Sequence, residues 1–478
     1  MITLARRRSR RLRGVLRRSA LGIAHRGPVP PILFQAEGDV LLARYRLGAL
    51  AVEHAEPCAG PSSGMVPLPP DALADFEGHD DTPVSLEAVA PGRTVARWTD
   101  RGIPQAREYA VPAVPPGEFP AMPDAWADAP PGWLDALAEA AATTAEDDTR
   151  YALGCLLIKD GRDGHEVVAT DGRQMLIRGA FRLPWDGDVL IRRSPIFACK
   201  GLPRDRPWSV GRAGDHILLR SGPWTIAAEI QTDARFPRVD QVFPAADAAA
   251  SRLRLDPADA AVLADALGRL PGADSPNAPV TVDLNGRVAV RARGAGDDPA
   301  TELVLGRSAY TGVPVRFQTN REFLGRAVRL GFAEIEVIDP ASPIACRTGG
   351  RAYAWQPLDA ESAIAPSDDA VRIESVPRPV TPGAPPGKEI EMKEIEQPNG
   401  RDAGSHVERE ATADPGAAVP AGLAALVAEA VTLHEALGEA RSRAGRLVTA
   451  LRRQRRQDRL VQSTLASLRQ LRLQEASQ

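Results

Sequence analysis

Aromatic residues make up only 5% of the 478 positions, so a core must rely on Leu, Val, Ile and Ala. Cysteine is rarer still. Cys58, Cys155, Cys199 and Cys346 all stand more than forty residues apart, and no pair has C-x-x-C spacing. That pattern argues against a zinc ribbon or a disulfide scaffold, and the thiols read as small, reduced, apolar side chains. No apolar run reaches the roughly 18 residues of a membrane-spanning helix. The basic N-terminus lacks the apolar stretch and small-residue cleavage site of a secretory signal, so a cytoplasmic protein without a membrane partner is expected. Catalytic signatures are also missing. There is no phosphate-binding loop and no G-x-G-x-x-G after a strand. His165-Glu166 lacks the second His of a zinc-protease helix, and Thr170-Asp171-Gly172 has no His partner placed by the sequence. The expectation is a non-enzyme with no cofactor, no metal and no catalytic residue.

Net charge is nearly balanced at −3, but the charges are segregated. Residues 1–26 hold nine Arg and no acid, and residues 421–478 hold ten Arg and five acids. The middle therefore carries a balance of about −17. Basic ends of this kind steer toward phosphate backbones or acidic surfaces, or form a solvated face. Residues 10–24 place Leu12, Val15, Leu16, Leu21 and Ile23 on one helical face with Arg opposite. Residues 361–420 contain nine Pro and no aromatic residue, which reads as a disordered linker. Residues 421–478 lack Pro, and three-then-four stepping from Leu423 to Arg472 finds twelve apolar residues in fifteen. This predicts a helical coiled coil, with a lone amphipathic helix as the alternative.

Between these ends the chain reads mainly as strands. Residues 31–57 and 82–112 alternate apolar and polar side chains, and 150–245 and 279–318 do likewise. Gly38-Asp39, Asp163-Gly164, Asp171-Gly172 and Asp186-Gly187 mark turns. Helical signals recur at regular intervals. A strand end runs into Asp71, again into Ser194, and again into Asn320. These residues are 123 and 126 positions apart and all belong to the preferred N-cap set. A second helix series begins near Arg11, near Trp133 and near Asp256-Pro257. Phe119-Pro120 recurs as Phe236-Pro237. The spacing predicts an α+β chain of three equivalent units, each with two helices packed on antiparallel sheets.

Several motifs carry a more specific resemblance. Asp148-Thr-Arg150-Tyr151-Ala-Leu153 and Val168-Ala-Thr170-Asp171-Gly172-Arg173-Gln-Met175 resemble the central domain of the bacterial sliding clamp family, the beta subunit of DNA polymerase III. Phe236-Pro-Arg-Val-Asp-Gln-Val242-Phe-Pro244 is similar to the end of that domain. Glu118-Phe119-Pro120 through Asp124 resembles the close of the first domain. Asp339-Pro340-Ala-Ser-Pro343 and Tyr353-Ala-Trp-Gln356-Pro357-Leu358 resemble the end of the third. The resemblance covers about residues 10–360 and implies the DNA-clamp fold. It divides the chain into clamp domains at 1–125, 126–247 and 248–360, followed by the linker at 361–420 and the coiled coil at 421–478.

In function, the resemblance implies a nucleoid-associated, head-to-tail homodimer that encircles double-stranded DNA without sequence preference. Polymerase and clamp-loader-type proteins would seat a short peptide between the second and third domains. The pocket residues implied are Leu153, Thr170, Gly172, Arg173, Met175, Pro237, Val242, Pro343, Tyr353, Pro357 and Leu358. For each apolar member, plain core packing is the alternative. DNA-contact candidates are Arg11, Arg13, Arg17, Arg18, Arg26, Arg150, Tyr151, Lys200 and Arg326. The chain departs from the pattern at Asp359, where a cation is expected, and at Arg173-Gln174. The expected DNA-facing helices near Trp133 and Asp256 also carry acid. Gln470-Leu471-Arg472-Leu473 resembles part of a clamp-binding peptide, so the tail could occupy the chain's own pocket, and residues 421–478 could add further association. The rival reading is a clamp-fold scaffold that gathers replication or repair proteins without encircling DNA.

Overall fold

A computed structural model describes residues 1–20, 28–58, 64–113, 117–145, 152–239, 243–294, 296 and 298–375. The chain divides into two units, Met1–Ala384 and Pro385–Gln478. The described residues all belong to the first. The coiled-coil expectation for 421–478, the Gln470–Leu473 peptide and most of the linker lie outside the described residues.

The fold is α+β, and four sheets dominate it. A four-stranded sheet runs Ile2–Ala5, Pro83–Ala90, Arg93–Asp100, Ile103–Ala110. An eight-stranded sheet runs Met65–Leu68, Ile32–Glu37, Val40–Leu47, Leu50–Pro57, Trp224–Glu229, His216–Ser221, Ser209–Ala213, Ala127–Asp128. A nine-stranded sheet runs Val189–Arg192, Cys155–Gly161, Gly164–Thr170, Gln174–Phe181, Arg351–Trp355, Ile344–Thr348, Glu334–Val337, Ser251–Arg254, Ala309–Gly312. A five-stranded sheet runs Val315–Asn320, Pro279–Asn285, Arg287–Ala292, Thr301–Val304, Val371–Glu374. The strands fall in the expected stretches; Ile32–Glu37 buries alternate positions, whereas Leu50–Pro57, Trp224–Glu229 and Pro279–Asn285 are buried on both faces. At the Gly38-Asp39 turn, Gly38 takes φ +63°, which a side chain would oppose.

Two sheets join segments distant in sequence. Leu50–Pro57 pairs antiparallel with Trp224–Glu229, His54 lying opposite Trp224. Gln174–Phe181 pairs antiparallel with Arg351–Trp355, Gln174 lying opposite Trp355. Two large apolar clusters fill the interior. One contains Phe34, Phe76, Trp133, Phe197 and Trp224, and the other Phe317, Tyr353 and Trp355. The few aromatics thus serve as anchors within a mostly aliphatic core.

The helices are α1 (Arg6–Ala20), α2 (Leu73–Phe76), α3 (Trp133–Ala141), α4 (Pro257–Ala266) and α5 (Arg321–Arg329). Helix α1 packs on α2, α3 on the 3₁₀ turn Pro195–Ala198, and α4 on α5. Helix α1 starts five residues before Arg11 and buries Leu12, Val15 and Leu16. Its first turn carries Arg6, Arg7 and Arg8 and no acid, which opposes the helix dipole. Carboxylates from neighbouring segments offset this. Arg6 meets Asp100 at 2.9 Å, Arg7 meets Asp81 at 2.9 Å, and Arg8 pairs with Glu56.

The capping expectations divide. Asn320 accepts from the Glu322 amide as an N-cap does, and Asp256, expected only as a helix start, also caps by accepting from the Ala258 amide. Ser194 accepts from the Ile196 amide, but the element it caps is only a 3₁₀ turn. Asp71 is not a cap. It lies inside the 3₁₀ turn Pro70–Ala72, and Pro69 holds the cap position. Two successive prolines already fix the entry dihedrals there, so the chain turns without an acceptor side chain.

The linker expectation also needs correction at its start. Residues 358–375 form a strap across the five-stranded sheet. The Leu358 amide donates to Gln318 O at 2.8 Å, and Gln318 Nε2 donates to Ser362 O at 2.7 Å. The Ile364 amide donates to Thr281 Oγ1 at 2.9 Å, and Arg291 reaches Ile364 O. Val371–Glu374 then pairs in parallel with Thr301–Val304. Arg372 donates to Glu302 at 3.0 Å, and Ser375 Oγ bonds the buried Asp259 carboxylate. Burial alone would raise the Glu302 carboxyl. Hydrogen bonds from Arg291 and Arg372 outweigh it and hold the group below the usual carboxylate range. Proline content and low aromaticity predicted disorder, but backbone pairing to an open sheet edge needs neither aromatics nor a core of its own.

Candidate functional site

The hairpin that joins Gly164–Thr170 to Gln174–Phe181 is built from its own side chains. Asp171 Oδ1 accepts from the Arg173 amide at 2.7 Å and the Gln174 amide at 2.9 Å. Thr170 Oγ1 donates to Gln174 O at 2.7 Å and accepts from the Gly172 amide at 3.0 Å. Gly172 sits at φ +89°, a position closed to most side chains. Gln174 Nε2 donates to Asp171 Oδ2, and Gln174 Oε1 accepts from Tyr353 Oη, each near the ordinary length. The Gln356 amide donates to Arg173 O at 2.8 Å, tying the hairpin to the segment after Trp355.

This turn forms one wall of a cleft of about 290 Å³. Of the eleven pocket residues expected, Leu153, Thr170, Gly172, Arg173, Met175, Pro237 and Pro343 line it. Val242 lies outside the described residues. Tyr353 does not line the cleft. It is fully buried, stacks on Phe332 and reaches the cleft only through its bond to Gln174. Pro357 and Leu358 also fall outside the lining, because Leu358 begins the strap on Gln318. Gln174, Arg238, Val239, Ala354, Trp355 and Gln356 take part instead. Strand alternation could have found Ala354, since an inward Tyr353 sends its neighbour to the other face. Val168, Met175 and Val239 pack together beside the cleft, with Phe236 and Phe243 against them. The lining combines an apolar floor with backbone and amide groups at its rim, a composition suited to a short extended peptide.

The basic candidates separate into two groups. On α1, Arg7, Arg10, Arg11, Gly14, Arg17 and Arg18 form one exposed stripe at helical spacing. Arg7 pairs with Asp81, and Arg10 touches His79. Among the described residues, Arg11, Arg17 and Arg18 make no ion pair. Arg13 does, meeting Glu77 at 2.8 Å, and so is partly spent on structure. Lys200 is exposed and shares a surface cleft of about 380 Å³ with Arg11, Arg204 and Arg206. Arg26, Arg150 and Tyr151 lie outside the described residues.

Arg326 is not a free cation. Its guanidinium donates to Glu139 O at 2.5 Å, Ala142 O at 2.6 Å and Thr143 Oγ1 at 2.7 Å. These groups close the C-terminal turn of α3, where the dipole favours a cation. Burial lowers the Arg326 pKa from its ordinary value. Arg326 therefore couples α5 to α3.

The acids expected to face DNA are locally neutralised. Asp135 pairs with Arg204 at 2.6 Å, Glu139 pairs with Arg178 at 2.5 Å and Arg351 at 3.3 Å, and Asp265 pairs with Arg269. Asp259 points inward and accepts from the Arg307 and Ser308 amides. Under α1, burial pushes the His54 pKa down to about 3, with Arg8 and Arg11 adding to the shift. No described helix is long and apolar enough to cross a membrane.

No protein-family model matches the sequence, and no curated protein matches it. Solved structures do match in fold. A sliding clamp from Pseudomonas aeruginosa, the DNA polymerase III beta subunit bound to griselimycin, superposes with a TM-score of 0.61 at 16% identity, covering 75% of this chain and 99% of that one. The Bartonella birtlesii sliding clamp, also bound to griselimycin, gives 0.61 at 16% identity with the same coverage. The DNA polymerase III beta subunit of Thermotoga maritima gives 0.59 at 14% identity, again over 75% and 99%. The described unit has the sliding-clamp fold.

Proposed function

We propose that this chain is a sliding-clamp-like processivity factor. Two copies join head to tail around duplex DNA, and polymerase or loader-type partners hold on through a short peptide in the cleft between the Thr170–Gln174 hairpin and Pro343. The three clamp domains expected at 1–125, 126–247 and 248–360 supply the repeat. The protein catalyses nothing. It converts weak phosphate contacts into a topological link, so partners stay near the template while the ring slides.

The observation that carries this reading is sheet continuity. At both internal junctions an edge strand of one repeat pairs antiparallel with an edge strand of the next. A heterologous contact of this type closes a ring when its repeated rotation divides the full turn. The stripe of Arg11, Arg17 and Arg18, with Lys200 beside it, provides sequence-independent attraction for phosphates.

A second reading, the non-encircling scaffold, rests on one observation. The outer edge of Thr301–Val304 is covered by Val371–Glu374 of the same chain. Light scattering on a sizing column, paired with retention on nicked circular plasmid, separates the two. A dimer that stays on circles and leaves after linearisation is the clamp. A monomer indifferent to DNA topology even when Val371–Glu374 is released from Thr301–Val304 is the scaffold.

A further inference from the structure

The two internal junctions follow one rule. In each, the last strand of one three-strand meander meets the last strand of another. Ile32–Glu37, Val40–Leu47 and Leu50–Pro57 meet Ser209–Ala213, His216–Ser221 and Trp224–Glu229. Cys155–Gly161, Gly164–Thr170 and Gln174–Phe181 meet Glu334–Val337, Ile344–Thr348 and Arg351–Trp355. Two meanders remain without such a partner. One is Pro83–Ala90, Arg93–Asp100 and Ile103–Ala110. The other is Pro279–Asn285, Arg287–Ala292 and Thr301–Val304. By the rule, Thr301–Val304 is the edge for Ile103–Ala110 of a second copy.

The two edges are not in the same state. Ile103–Ala110 is open, and all of it except Tyr109 is exposed. The hairpin before it turns through Arg101 at φ +49° and Gly102 at φ +84°, a two-residue turn whose closing pair is Asp100 and Ile103. Residues 103, 105, 107 and 109 therefore bond inward, and Ala106, Glu108 and Ala110 present unpaired backbone groups outward. Thr301–Val304, by contrast, already holds Val371–Glu374. The Val371 amide donates to Ala300 O at 2.9 Å and the Ser375 amide to Val304 O at 2.9 Å. Alternation puts the Ile373 amide on the same side.

The covering strand buries little. All four of its side chains are exposed, with Val371 at 54% and Ile373 at 47%. Its hold is the backbone ladder, Arg372 on Glu302, and Ser375 on Asp259. A cover held by polar contacts, with little apolar surface sealed beneath it, opens far below the cost of global unfolding.

We infer that Val371–Glu374 is an autoinhibitory strand, which occupies the edge where Ile103–Ala110 of a second copy docks, so that head-to-tail closure requires its displacement. The inference rests on the ring reading above and adds its regulation. Closure then becomes conditional on whatever draws the strap away from the sheet. Without that, the chain stays open.

Sedimentation or light scattering of the full chain across concentration tests this. Ile373→Pro removes the inward amide of the strap and is expected to tighten dimerisation at least tenfold. Arg372→Ala frees the strand without altering the backbone and moves association in the same direction, which covers any misfolding of the proline variant. Ala106→Pro removes an outward amide from the opposite edge, and combined with Ile373→Pro it is expected to return the protein to monomer. A wild type that dimerises through the Ala106 edge equally well with and without Ile373→Pro overturns the inference and leaves the ring intact. Loss of a wild-type dimer on Ile373→Pro makes the strap the junction itself and overturns it too. Monomers throughout, or association that Ala106→Pro does not reverse, overturn the inference together with the ring.

Discussion

The exposed stripe on α1 gives a quantitative expectation for DNA binding. Arg11, Arg17 and Arg18 share one helix face and make no ion pair among the described residues. Each can release about 0.9 counterion per phosphate it neutralises on duplex DNA. Replacing all three by alanine should therefore flatten the slope of log K against log salt by up to about 2.7 per copy. Between about 50 and 200 mM salt that difference amounts to roughly 40-fold in affinity. Fluorescence anisotropy of a labelled duplex, measured across a salt series, reads the slope directly. Arg13→Ala is the internal control, since its guanidinium is already engaged by Glu77 at 2.8 Å, and it should change the slope far less. An unchanged slope in the triple variant would refute the assignment of this face to phosphate contacts. An equal loss from Arg13→Ala would show a general charge effect instead.

Other consequences follow from the same geometry. Leu153→Ala removes an apolar wall of the cleft and should weaken a glutamine-leucine-x-leucine-phenylalanine-type peptide roughly five- to tenfold, at about 1 kcal/mol, by anisotropy; unaltered binding places the peptide elsewhere. Arg326→Ala strips three acceptors at the end of α3 of their donor and should cost roughly 2–4 kcal/mol in urea unfolding, while duplex affinity stays within about twofold of wild type if Arg326 is structural, since each lost phosphate contact costs more. His54 is neutral in the fold, with its pKa held at about 3 against an ordinary 6.5. Its contribution is therefore complete above pH 6.5 and declines as pH falls toward 3, with a slope approaching about 1.4 kcal/mol per pH unit. His54→Gln should flatten that slope by one proton in denaturation curves at several pH values.

Strand positions were legible because apolar alternation in strands such as Ile32–Glu37, and short apolar runs in doubly buried ones such as Trp224–Glu229, are punctuated by Gly-Asp or Asp-Gly turns. The Thr170–Gln174 turn was legible for the same reason: Asp171 and Gly172 have local roles that depend on no distant contact. Features set by distant partners were harder to see. The engagement of Arg326 depends on the carbonyls of α3, some 185 residues away in the chain, and a lone arginine on a helix carries no mark of it. Asp259, on the acidic helix expected to face DNA, turns inward because Ser308, Ser375 and two backbone amides await it. Tyr353 is expected in the cleft, whereas strand alternation sends it to the core and turns Ala354 to the cleft. The strap was missed because composition measures the capacity to form a core, and Val371–Glu374 orders itself on an existing sheet edge.

The most direct test of the central claim is the lifetime of the protein on a linear duplex with its ends open and with its ends blocked after loading. A closed ring held by topology predicts rapid loss from open ends and long retention on blocked ones, persisting at salt concentrations that abolish phosphate contacts. Equal lifetimes on the two substrates, both falling steeply with salt and unchanged by Ile373→Pro, would contradict encirclement.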